Sequence, residues 1–109
     1  MMHQTYQLTE AQLFKVTGAS SQQPYNCGSK VDQYAVRVGR TYYYHYQGGG
    51  HDQWLIIYVT AVKEEPKHIL WFTERFAYVT YTGGLTGKLP LDTGDVYEYN
   101  GPAINWAAA

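Results

Sequence analysis

Residues 54–62, WLIIYVTAV, constrain the fold more than any other stretch of this chain. Apolar side chains stand at odd and even positions alike, and β-branched residues are frequent, so an extended backbone here turns apolar groups to both of its sides. A strand of that kind is stable only with neighbours on each edge and cover over each face. The run therefore predicts a central strand, and the rest of the chain has to supply its partners.

Strand patterns surround it. Tyr34, Val36 and Val38 alternate with Ala35 and Arg37, which predicts a half-buried strand, and Gly39-Arg40 suits a two-residue turn with glycine first. Residues 42–46, YYYHY, return as its partner. Glu64-Glu65-Pro66 reads as a turn after the central strand. Residues 68–73, HILWFT, and 76–82, FAYVTYT, are separated only by Glu74-Arg75, a spacing that predicts a tight antiparallel hairpin. TGGLTG at 82–87 and LPLDTGD at 89–95 read as turns, the second by the turn chemistry of Asp and Gly. Residues 96–99 form the last short strand, and Gly101-Pro102 ends regular structure.

One helix is expected before these strands. Thr9 with Gln12 makes a capping box, Leu8 and Leu13 occupy the hydrophobic-staple positions, and Gly18 stands where a C-terminal cap belongs, so residues 10–17 predict a short helix. Residues 19–29, ASSQQPYNCGS, have loop composition. The expected fold class is α+β and mainly β: a short N-terminal helix, then about six antiparallel strands in meander order forming a small barrel or a strongly bent sheet. A chain of 109 residues fits one domain, assigned to residues 1–106. The three alanines at 107–109 read as a vector-derived tail.

Composition narrows the function classes. A formal net charge of −1 gives no general attraction to phosphate, which argues against strong sequence-independent nucleic-acid binding. Cys27 is the single cysteine, so no intramolecular disulfide framework exists and a reducing, cytoplasmic setting is expected. The N-terminal residues carry no signal-peptide pattern, and no apolar run approaches the length of a membrane span, so no membrane partner is expected.

Residues 41–59, TYYYHYQGGGHDQWLIIYV, hold the densest chemistry. Strand geometry puts Tyr42, Tyr44 and Tyr46 on one side and Tyr43 with His45 on the other. These rings either cover the core with their hydroxyls left wet or form a recognition surface; with twelve tyrosines against three phenylalanines the surface is expected, because a chain needing only a core could use Phe or Leu without satisfying hydroxyls. Arg37 and Arg40, on the neighbouring strand and turn, would stack on those rings or pair with an acidic partner.

Catalytic and metal motifs are thin. The glycines at 48–50 lack the lysine and helix of a phosphate cradle, and GGLTGK at 83–88 has the wrong spacing for a P-loop. Cys27 in a polar loop, with His51 and Asp52 at the head of an apolar strand, offers a thiol nucleophile, a base and an orienting group. The fragments CGS and GH resemble papain-like and cell-wall amidase patterns, which would imply a thiol hydrolase. His45, His51, Asp52 and Cys27 match no structural zinc spacing, so neither metal nor cofactor is expected.

The leading expectation is a small, non-catalytic, intracellular binding module that occupies a surface of a protein partner, as inhibitors of the viral or mobile-element type do. Its binding residues would be Arg37, Arg40, Tyr42, Tyr44 and Tyr46, and an aromatic strand edge would allow a homodimer. Two alternatives remain open. One is a small β-barrel for single-stranded nucleic acid, with Lys30, Arg37 and Arg40 interleaved among the tyrosines; the other is a thiol hydrolase using Cys27 and His51.

Overall fold

A computed structural model describes residues 21–48, 51–66 and 72–106; the helix expected over 10–17 lies outside them. Among these residues there are six strands: β1 (Cys27–Val31), β2 (Thr41–Gly48), β3 (His51–Pro66), β4 (Thr73–Tyr81), β5 (Thr86–Pro90) and β6 (Asp95–Tyr99). They form one antiparallel sheet in the order β1-β6-β2-β3-β4-β5. Among the described residues no helix is long and apolar enough to cross a membrane.

The central-strand reading of 54–62 holds, and the strand is longer than its apolar run. The first half of β3 pairs with β2, from Tyr58 against Thr41 to His51 against Gly48. The second half pairs with β4 after a bulge between Val59 and Ala61. Two expected turns are therefore strand. Glu64 and Glu65 lie opposite Arg75 and Glu74 in the β3–β4 ladder, so neither Glu64-Glu65-Pro66 nor Glu74-Arg75 reverses the chain. Backbone pairing decides the matter, because charged residues sit comfortably in the exposed outer part of a ladder.

Meander order holds only from β2 to β5. β6 then crosses to the far side of β2, placing Val96 opposite Tyr44 and Tyr97 opposite Tyr43, and β1 closes that side against β6. β1 and β5 are the two edges and do not pair, so the sheet is open and not a barrel.

The crossing bends the sheet. In a flat sheet β5 and β6 would stand four strand spacings apart, about 19 Å. The five Cα steps from Pro90 to Asp95 reach at most about 18 Å even when fully extended, and residues 91–94 are turn. The sheet must therefore curl until its β5 side approaches β2 and β6 across one face. The Tyr44 hydroxyl records that approach, donating to the Pro90 carbonyl at 2.7 Å from three strands away.

The curled face encloses the core: Tyr42, Tyr44, Leu55, Ile57, Val59, Ala77, Val79, Tyr81, Leu89, Leu91 and Val96, joined by Val36 from the segment before β2. Here the abundance of tyrosine has a structural reason. Tyr44 ties the β5–β6 crossing to the sheet, and the Tyr42 hydroxyl accepts from the Arg37 backbone N–H at 3.0 Å. Each ring fills the core while its hydroxyl anchors a distant segment, which Phe could not do. Burial pushes the Tyr44 and Tyr81 phenols well above their ordinary value.

Candidate functional site

The segment between β1 and β2 was expected to be a strand and is not. Asp32 accepts a hydrogen bond from the Tyr34 N–H at 2.9 Å, and the Ala35 N–H donates to the Asp32 carbonyl at 2.8 Å, winding residues Gln33–Ala35 into a single 3-10 turn. Val36 then drops into the core at 5% exposure, and the Arg37 N–H is taken by Tyr42. Gly39 has φ +85, a conformation that favours glycine, and its N–H donates to the Val59 carbonyl at 2.8 Å. The Val59 N–H returns a bond to the Arg40 carbonyl at 3.0 Å. No Gly39-Arg40 hairpin turn is needed, because the edge of β2 that a strand over 34–38 would have occupied is taken by β6.

Residues 33–40 thus form a loop anchored at nearly every step. Arg75 adds to this, donating from Nε to the Gln33 carbonyl at 3.2 Å and holding its guanidinium 5.2 Å from the Tyr34 ring centre. What the loop presents is the opposite of what anchors it. Tyr34 is 68% exposed and Val38 58%, two of the four large apolar side chains that stand out among the described residues. Arg37 and Arg40 are exposed beside them.

Among the described residues nothing compensates the charges of these arginines. Lys30 pairs with Asp95 at 3.1 Å, Arg75 with Glu64 at 3.4 Å and Lys88 with Glu65, while Lys63 lies 5.3 Å from the Tyr78 ring centre. Among the described residues Arg37 and Arg40 have neither an ion pair nor a ring contact. They are the two binding residues expected from sequence that remain on the surface.

The tyrosines do not join them. Tyr42 is 2% exposed and Tyr44 fully buried, and Tyr46 packs against the same core. The face proposed for recognition is the curled inner face, so Tyr42 and Tyr44 reach no partner in the folded protein, while Tyr46 is half-buried at the margin of the core. Tyr34 and Val38 were missed as surface residues because their alternation with Ala35 and Arg37 is what a half-buried strand shows. The signal that could have found them is the Asp two residues before Tyr34, a local cap that competes with extended pairing.

The outer face of the sheet carries a second aromatic row. Tyr43 and Tyr99 rings lie 5.1 Å apart, Trp54 and Tyr97 also 5.1 Å, and His45 stacks on Trp54 at 4.0 Å with 9° between planes. Tyr43 bonds to Asn26, and burial leads the effects that raise its phenol above the ordinary value. Further along, Glu65 receives hydrogen bonds from Lys88 and Tyr78, which hold its carboxyl below the usual range. The rings of this row pack on one another.

The structure separates the proposed catalytic group. Cys27 pairs with Tyr99 at the outer edge, whereas His51 and Asp52 lie at the β2–β3 hairpin, three strands across and about 20 Å further along the sheet. Asp52 is paired with His45 instead, through Oδ1 and Nε2. Cys27 is half-buried with its Sγ 3.7 Å from the Gly28 carbonyl. Among the described residues no group of three or more His, Cys, Asp or Glu is placed to hold a metal ion. Replacing His51 with Ala should leave the pH profile of Cys27 alkylation unchanged; a profile displaced by that substitution would show that the imidazole reaches the thiol. No family model, curated protein or solved structure matches this chain.

Proposed function

We propose that this chain is a binding module without chemistry of its own, which engages a protein partner through residues 33–40 and acts by occupying that partner's surface. One observation carries the reading. The loop is held by hydrogen bonds at Asp32, Gln33, Ala35, Arg37, Gly39 and Arg40, yet it directs Tyr34, Arg37, Val38 and Arg40 into solvent. A fixed backbone lowers the ordering cost of association, and Tyr and Arg are the side chains that most often dominate binding energy. An exposed apolar residue between two cations that pair with none of the described residues adds nothing to the core of the chain.

A photo-crosslinking residue at Val38 is the direct probe. The protein it captures, once purified, should bind the unmodified chain, and Tyr34→Ala or Val38→Asp should each weaken that binding by about 2 kcal/mol or more. Thermal unfolding of both variants should stay close to the parent, because the two side chains lie outside the core. A captured protein that binds the loop variants and the parent equally well would overturn the reading.

A further inference from the structure

Resting on that reading of the loop, we infer that the partner segment is acidic: it carries carboxylates that meet Arg37 and Arg40, on either side of an apolar residue that seats on Val38. Burying a guanidinium in an interface is costly unless the partner supplies the opposite charge and accepts its hydrogen bonds. Every other described Lys or Arg already has a carboxylate or a ring beside it within this chain. Arg37 and Arg40 do not, so a partner covering the loop has to bring the carboxylates itself. The planar guanidinium suits them, since it accepts a carboxylate in bidentate fashion.

Spacing and neighbours favour a polypeptide over a nucleic acid. The Val59 bonds to Gly39 and Arg40, with the Tyr42 bond to Arg37, fix the backbone on both sides of Val38. The two cations are therefore held apart by an apolar side chain that is 58% exposed. A phosphate backbone offers that side chain nothing to pack on, whereas an aliphatic residue between two acids fills the space. Base stacking is poorly served, because Arg75 already lies over the Tyr34 ring. The net charge of −1 supplies no wider field for phosphate.

Random dodecapeptides displayed on phage, panned against the full chain, give a test that needs no identified partner. The expected result is enrichment of peptides with two or more Asp or Glu flanking an apolar residue. A synthetic consensus peptide should lose at least tenfold in affinity against the double variant Arg37→Ala/Arg40→Ala, and should weaken as salt is raised. Both arginines are exposed, and the melting curve of the double variant verifies that it folds. Enriched peptides that need Tyr34 and Val38 but carry no acidic residues would overturn the acidic partner while leaving the loop as the binding element. Peptides indifferent to all four positions, or no enrichment at all, would overturn both. Tighter binding of an oligothymidylate than of the consensus peptide, abolished in the same double variant, would replace the acidic segment with a nucleic acid.

Discussion

Replacing Tyr44 with Ala is expected to lower stability by about 3–5 kcal/mol, enough to unfold a domain of ordinary stability. The ring is fully buried among Leu55, Val96 and their neighbours, so its removal leaves a cavity in the curled face as well as an unpaired Pro90 carbonyl. Tyr44→Phe separates the two effects. It keeps the ring and deletes only the hydroxyl, and should cost about 1 kcal/mol. Urea unfolding of the three proteins would measure both steps. Had Tyr44 been a surface contact, the Ala variant would melt like the parent and lose only binding; such a result would show that the inner and outer faces have been exchanged.

The second large effect is expected at Gly94, in the turn that carries the chain from β5 to β6. A Cβ added there would run into the Oη and Cζ atoms of Tyr44. Overpacking of a tight core costs about 1–3 kcal/mol, and Gly94→Ala should lie at or above the top of that range because the struck group is a rigid, fully buried ring. The two positions should also be coupled. In a Tyr44→Leu background, which lacks the ring that a Cβ would strike, Gly94→Ala should cost less than in the parent, with an interaction energy of about 0.5–3 kcal/mol. Equal costs in the two backgrounds would mean that the crossing does not press on Tyr44. The sheet would then owe its curl to some other contact.

These two residues locate the boundary between what pattern reveals and what it does not. Strands β2, β3 and β6 were legible because period-two alternation and β-branched or aromatic residues mark any pleated, buried surface. β1 and β5, CGSKV and TGKLP, are short edge strands with little apolar pattern, and they exist because β6 and β4 offer them a ladder. Residues 34–38 alternate as well as a strand does, yet the Asp32 cap and the prior claim of β6 on the edge of β2 made them a loop. Glu74 and Arg75 read as a turn because they are all that separates two strand-like runs, whereas here they face Glu65 and Glu64 across a ladder.

The candidate site was legible only in part. Arg37 and Arg40 were found, but for a surface of tyrosines that turned inward, and Cys27, His51 and Asp52 shared chemistry without sharing a place.

The sequence alone carried the local pattern of this protein: an extended backbone around 54–62, tyrosines in abundance beside it, and a formal net charge of −1. Which tyrosine face the sheet curls around was decided by the tertiary structure, and the side that carries Tyr43 and Trp54 is buried as well. Both faces of β2 are aromatic, so burial of either satisfies the hydrophobic effect, and a one-residue alternation carries no preference. The short crossing at 91–94 broke the tie. It could reach β6 only by curling the sheet toward one side, and that side closed over Tyr42 and Tyr44.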